Sequence, residues 1–321
     1  MTIAHEIDLH LLRAFVAVAD QGGFSAAALT LHITQPALSR RISELETALG
    51  ARLFDRTSRH VQLTSVGHSL IARSRDLLAD AQDLQERAQA LKVGHSGVLS
   101  LGGTPFVLES LVAPFLARYH KRRPDVEVRL HEQGGARLLE RVLRGDLQMA
   151  VVTSIESRLA SRPLFPWCGL AVVAKTHPLA RRQSIEVEHL ANEPILVLPP
   201  EFIMRRIFDA ACETTNLHPN IRMESSTPQT LVAMARAGCG VAIVPSLSVI
   251  DNRGVETLPI LERGKSLGRW TAINWDGRRF QPVYARQFAD ALVEFASGKY
   301  PGKKYKIART IARPESRSDN G

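Results

Sequence analysis

Along the first ninety residues the apolar positions fall into short helical rhythms. Leu9, Leu12, Phe15, Val16 and Ala19 recur at steps of three and four behind Asp8, a good N-cap, until Gln21-Gly22-Gly23 breaks the run. Ser25 is expected to cap a second, shorter helix with Ala27, Ala28 and Leu31 on its apolar side. After a brief turn at His32-Ile33, Thr34 caps a third, in which Leu38, Ile42, Leu45 and Leu49 form one narrow stripe and Gly50 supplies the stop. Pro36 falls in the first turn of that helix, where its missing N–H has no intrahelical acceptor to lose. The face away from the stripe presents Pro36, Ser39, Arg40, Ser43 and Thr47, with Gln35 beside it at the amino end.

Two short strands follow, Ala51 to Arg56 and Val61 to Thr64, around the basic tip Thr57-Ser58-Arg59-His60. Two short helices with a tight turn and then a hairpin make a winged helix-turn-helix, the all-α module with a small wing that enters the major groove of double-stranded DNA. Arg can bridge O6 and N7 of guanine, Gln can bridge N6 and N7 of adenine, and small residues let the backbone come close. Arg56 and Arg59 in the wing are placed to reach phosphates. The solvated face of an ordinary three-helix bundle is the competing account of the same pattern.

Residues 65 to 92 lack proline and read as one helix. Leu63, Leu70, Leu77, Leu84 and Leu91 are spaced by seven; as d positions they put Ser74, Ala81 and Ala88 at a, so large residues alternate with small ones along a seam. Nothing nearby in sequence supplies a matching stripe, so this helix is expected to pair with a second copy of the chain.

Beyond Gly94-His95-Ser96-Gly97 the pattern changes to short apolar runs alternating with helices. The strands expected are Val98 to Leu101, Val126 to Leu130, Met149 to Val152, Leu170 to Ala174, Ile195 to Leu198, Ile221 to Glu224, Val241 to Val244 and Trp270 to Trp275. Such βαβ units predict an α/β domain of parallel sheets covered by helices, in one large sheet or two lobes. Ligands in these folds sit at the carboxyl ends of strands, beside helix amino termini. Those ends are Thr104-Pro105, Gln133-Gly134-Gly135, Thr153-Ser154, Pro199-Pro200 and Ser225-Ser226-Thr227. Each hydroxyl taken alone is a helix cap; five such ends together make a cleft of hydroxyl and backbone donors. None of the five carries Lys or Arg, so a small carboxylate there would rest on those donors.

Length, 321 residues, allows two or three domains, and 45% hydrophobic with 23% charged residues excludes disorder or a coiled coil alone. The net charge of +9 suggests an anionic partner, yet residues 1 to 95 balance at zero; the surplus sits in 96 to 299 (+5) and 300 to 321 (+4). Recognition of DNA therefore rests on where a few arginines stand. Cys168, Cys212 and Cys239 are widely separated, which fits neither a disulfide framework nor a metal site. With Glu6 and Asp8 at the amino terminus, no basic leader and no long apolar span, a cytoplasmic location with no membrane partner is expected. No cofactor and no catalysis are expected: there is no G-x-S-x-G elbow, Walker lysine, H-E-x-x-H or strand-borne G-x-G-x-x-G. An enzyme on an α/β scaffold and a cysteine-based redox regulator remain as alternatives.

The run Phe24-Ser25-x-Ala27-Ala28-x-x-Leu31-x-Ile33-Thr34-Gln35-Pro36-Ala37-Leu38-Ser39-Arg40-x-Ile42-x-x-Leu45-Glu46-x-x-Leu49-Gly50-x-x-Leu53-Phe54-x-Arg56 resembles the DNA-binding domain of LysR-type transcriptional regulators. His177-Pro178-Leu179-Ala180 and Gly238-x-Gly240-Val241-Ala242-x-Val244-Pro245 are similar to phrases of that family's effector domain. The resemblance implies a winged helix-turn-helix over 1–64, a linker and dimerisation helix over 65–92 and a two-lobed effector domain over 97–299 similar to periplasmic binding proteins; the composition of 300–321, rich in Lys, Arg, Ser and Gly, adds a basic tail expected to be disordered. The resemblance also implies that Gln35, Pro36, Ser39 and Arg40 face bases and phosphates, with Arg56 holding the backbone. It places a small-molecule effector against Thr104, Gly135, Thr153, Pro200, Phe202 and Thr227, and implies promoter binding by a dimer paired into a tetramer. Two positions depart from the family's habit: Gln148 stands in place of an acid, and Gly135 where a hydroxyl residue often sits.

Overall fold

A computed structural model describes residues 7–57, 60–93, 97–153, 156–305 and 311–314, in two compact units that divide at Gln89/Ala90. The first unit begins with α1 (Leu9–Gln21), α2 (Phe24–Thr30) and α3 (Gln35–Leu49). Asp8 caps α1 by accepting from the His10 amide at 2.9 Å, and Thr34 caps α3 by accepting from the Ala37 amide. Gly23, not Ser25, is the N-cap of α2; Phe24 joins the helix because its ring is needed in the core, against Phe54. Strands β1 (Phe54–Thr57) and β2 (His60–Leu63) pair antiparallel as the wing.

The long helix α4 (Ser65–Val93) uses its first turns on its own unit. Leu70, Ile71 and Leu78 pack on the helical core, and Ser74, expected on the seam, is buried there instead. The heptad thus splits. Leu63 and Leu70 serve the monomer's core, whereas Leu77 and Leu84 are 40% and 69% exposed; the Leu91 side chain lies outside the described set. A period of seven marks one face but does not say where along the helix that face changes neighbours.

The second unit runs β3 (Gly97–Gly103), α5 (Pro105–Val107), a π-helical turn (Leu108–Val112), α6 (Ala113–Arg122), β4 (Val126–Glu132), α7 (Gly135–Arg144), β5 (Met149–Val152) and β6 (Ala160–Ala174). It continues through β7 (Ile185–Glu186), β8 (Pro194–Val197), α8 (Ile203–Thr214), β9 (Asn220–Glu224), α9 (Pro228–Arg236), β10 (Val241–Pro245), β11 (Val255–Glu262), β12 (Lys265–Ser266), β13 (Gly268–Trp275) and α10 (Val283–Gly298). The π turn has a local cause: Pro114 offers no N–H to the carbonyl of Ser110, and the helix widens just before it.

The strands follow one curled path, β4-β3-β5-β13-β6-β10-β8-β9, with β11 also beside β6. β6 is the spine. Its first half pairs with β13, and its second half with β10 and β11. This gives two lobes. The first holds β4, β3, β5, β13, the start of β6, α5 to α7 and α10; the second holds the rest. The expected all-parallel sheets are a correction: β13 is antiparallel to β5 and β6, and β10 and β11 are antiparallel to β6, while β4-β3-β5 and β10-β8-β9 are parallel. Strands buried on both faces read as continuous apolar runs in either sense, so the pattern carried no information on direction. β11 was not expected at all.

From β3 to α10 the described backbone passes between lobes twice, at Cys168-Gly169 within β6 and at Leu267-Gly268 entering β13, and the Gly169 amide donates to the Leu267 carbonyl at 2.6 Å. A Cβ on Gly268 would sit 2.0 Å from the Trp167 carbonyl oxygen, so the crossing strands can lie this close only with glycine there.

The expectation of a disordered tail does not hold for its described part. Tyr300 stacks on Phe165 with centroids 5.2 Å apart, the Tyr305 hydroxyl donates to Thr257 Oγ1 at 2.7 Å, and Trp270 Nε1 donates to the Ile311 carbonyl at 3.0 Å. Tyr300, Tyr305 and Ile311 thus fasten the described residues of a tail whose composition is otherwise basic and polar.

Candidate DNA interface and effector cleft

In α3, Leu38, Ile42 and Leu45 are fully buried, which turns Gln35, Pro36, Arg40 and Ser43 to solvent and leaves Ser39 half-buried beside them. Arg40 makes no hydrogen bond or ion pair among the described residues. The Ser25 hydroxyl donates to Gln35 Oε1 at 3.4 Å. Glu46, on the flank of α3, accepts from the Leu53 amide at 2.8 Å and from the Phe54 amide at 3.4 Å, and so pins the base of the wing to the helix. Arg56 occupies β1 opposite Val61; Arg59 lies outside the described residues.

In the second unit, Thr104, Gly135 and Thr153 follow the carboxyl ends of the adjacent parallel strands β3, β4 and β5. Thr104 precedes α5 and Gly135 opens α7, and neither helix start has a side-chain cap. Thr153 is 8% exposed; Ser154, named with it above, lies outside the described residues. In the other lobe Pro200 and Phe202 follow β8, and Thr227 follows β9. Phe202 and Thr227 are the N-caps of α8 and α9, again without a side-chain bond to the helix. At these four helix starts no cap side chain takes up a first-turn backbone donor.

Among the described residues, a ring stack and a hydrogen bond join these edges. The Phe106 and Phe202 rings stack at 5.7 Å, and Gln229 Nε2 donates to Glu109 Oε2 at 3.4 Å. Neither Phe106, Glu109 nor Gln229 was singled out in the sequence; an aromatic directly after the Thr104-Pro105 strand end was the available signal. Among the described residues no group of His, Cys, Asp and Glu is arranged to hold a metal ion, and no helix is long and apolar enough to cross a membrane. Burial pushes the Cys168 thiol up to about 11 and the Cys212 thiol up to about 12, and all three cysteines are free.

Residues 9–68 match the model of the bacterial regulatory helix-turn-helix proteins of the lysR family, and residues 92–297 match that of the LysR substrate binding domain. The chain belongs to the LysR family. Among its relatives, the transcriptional regulator YybE of Bacillus subtilis is 30% identical over 288 residues, spanning 89% of this chain and 98% of that protein. A full-length OxyR variant from Pseudomonas aeruginosa has a similar fold, with a TM-score of 0.67 at 24% identity over 97% of this chain and 99% of that one. Full-length CbnR complexed with its target DNA gives 0.59 at 20% identity, over 90% of this chain and all of that one (100%). As a LysR-family member the chain is a DNA-binding transcriptional regulator with an effector-binding domain, and its relatives are regulators. The family model covers both crossings between the lobes and stops at residue 297, short of the tail.

Proposed function

We propose that this LysR-family regulator binds promoter DNA as an oligomer, reading bases through Gln35, Ser39, Arg40 and Ser43, with Pro36 allowing close approach and Arg56 and Arg59 on the phosphates. The observation that carries this reading is the exposure of Arg40 and Gln35 on the face of α3 opposite a fully buried stripe. A small-molecule effector held between Thr104, Gly135 and Thr153 on one lobe and Pro200, Phe202 and Thr227 on the other stabilises one lobe arrangement over another. Differential affinity for the two arrangements drives the change in promoter binding or DNA bending. The exposed Leu77 and Leu84 support a homodimer through α4, and pairing of dimers gives a tetramer. The protein acts in the cytoplasm, on DNA, without catalysis. This reading is preferred to a thiol switch because two of the three thiols are buried and hold their protons at neutral pH.

The test is a footprinting titration on a site selected from random duplexes. Arg40→Ala is expected to cost about 1–3 kcal/mol at one base pair and to relax selectivity there. Specific binding that survives Arg40→Ala unchanged overturns the placement of the reading face.

A further inference from the structure

The five strand ends of the cleft carry no cation, yet a cavity at the hinge side of the same unit has two. It measures about 420 Å³ and is walled by the π turn of the first lobe (Glu109, Ser110), by the segment after β10 in the second (Ser246 to Ile250), and by Lys299 to Tyr305. Its floor is apolar, with Leu170, Leu247 and Phe295. That volume lies in the range of about 300–1,000 Å³ typical of small-molecule sites.

The tail brings the charges there and is itself held on both lobes. Tyr300 stacks on Phe165 in the first, Tyr305 bonds to Thr257 in the second, and Lys303 Nζ donates to the Gly298 carbonyl, closing the turn out of α10. Gly302 lies so close to Ser246 that a Cβ would fall 2.5 Å from its hydroxyl. The Lys304 ammonium rests over the Tyr305 ring at 5.0 Å, and Lys299 stands at the end of α10. Against these two cations the wall sets one carboxylate, Glu109, already facing the Gln229 amide. Ser248 Oγ, on the same wall, is buried with no hydrogen-bond partner. An apolar floor, one net positive charge and an unmatched hydroxyl define what fits: an organic monocarboxylate with an apolar body.

We infer that this cavity is a second ligand site, beside the cleft between the strand ends, and takes a small apolar carboxylate, with Lys299 and Lys304 on the carboxylate and Leu170, Leu247 and Phe295 on the body. The inference rests on the reading of the chain as an effector-responsive regulator and adds to its cleft a second, anion-binding site built partly by the tail. Because the walls belong to both lobes, occupancy bears on their relation.

The test is isothermal titration of the full-length protein with phenylacetate, beside phenylacetamide as the uncharged control. Phenylacetate is expected to bind, phenylacetamide about tenfold or more weakly, and the Lys299→Gln, Lys304→Gln double variant to lose about tenfold, while Thr153→Val in the cleft leaves the affinity unchanged. Both lysines are exposed, so the double variant folds; its melting temperature and DNA footprint are measured alongside. Absence of phenylacetate binding overturns the ligand class. Loss of binding in Thr153→Val with retention in the lysine variant returns the ligand to the cleft and overturns the site. An intact footprint in either case leaves the DNA-binding reading standing.

Discussion

Phe106 and Phe202, on opposite lobes of the effector domain, stack their rings 5.7 Å apart at an interplanar angle of 26°. Such a pair contributes about 0.5–1.5 kcal/mol beyond the area it covers, and here that energy acts only when the lobes are close. Phe202→Ala is expected to speed hydrogen exchange in the segments on either side, Pro105–Val112 and Ile203–Thr214, with little loss of melting temperature because both rings are only half-buried. Unchanged exchange in both segments removes the pair as a latch.

Leu84 is 69% exposed and Leu77 40% exposed on α4, one heptad apart. The double change Leu77→Glu, Leu84→Glu would place like charges on the proposed seam, so sedimentation is expected to show dimers for the parent chain and monomers for the variant. Far-UV circular dichroism stays as in the parent, since neither residue holds the monomer's core. A dimer of undiminished stability refutes pairing through this face.

Asp276 is 2% exposed and accepts from Arg278 Nη2 at 2.7 Å, Arg278 Nε at 2.9 Å and Arg279 Nε at 3.2 Å. Burial alone would raise its pKa; the hydrogen bonds and charges of Arg278 and Arg279 outweigh burial and hold it below the usual carboxylate value. A carboxyl whose folded pKa is depressed lends stability that is complete above its unfolded pKa, near 3.9, and lost as the pH falls through the folded value. Arg279 also donates to the Leu143 carbonyl at the end of α7, so the cluster joins β13 to that helix. Asp276→Asn is expected to cost about 1–3 kcal/mol in urea at pH 7, with a gap that narrows below about pH 4. A gap independent of pH from 3 to 7, about the range of carboxylate titration, contradicts the account.

The thiol chemistry offers a separate check. Burial raises Cys168 to about 11 and Cys212 to about 12, so at pH 7 essentially no thiolate is present at either. A thiol reagent is expected to leave both untouched in the native chain and to find all three cysteines once urea is added. Peroxide is expected to leave DNA affinity unaltered; a peroxide-dependent change in the footprint would restore the redox alternative.

Most of the DNA-binding unit was legible because its rules are local. Thr34, Pro36 and Gly50 punctuate α3, and the stripe Leu38, Ile42, Leu45 fixes which face is left outside. Ser25 misled because hydroxyl capping competes with the demand of Phe54 for an aromatic neighbour, and the core won. In the effector domain the periodicity located most strands but not their senses, because Leu196, in a parallel ladder, and Ala272, in an antiparallel one, are buried alike. Strand β11, with Pro259 inside it, broke the apolar rhythm and was lost. The residues at the strand ends could be named from the apolar runs that precede them. The contacts across the cleft could not, since Phe106 and Phe202 are 96 positions apart and nothing in either neighbourhood announces the other. The tail was misread for a related reason: its anchors, Tyr300, Tyr305 and Ile311, are few, and composition averages them away.

The two crossings at Gly169 and Gly268 lie side by side, joined by the bond from Gly169 to Leu267. Mechanically, two adjacent ribbons make an axle: they resist separation of the plates they join but leave rotation about their common line nearly free. A third attachment away from that line stiffens the joint. The tail supplies one through Tyr300 on one plate and Tyr305 on the other. The torsional compliance of the joint is therefore set in part by two tyrosines outside the span that defines the family, where substitution can retune the spring without touching the axle.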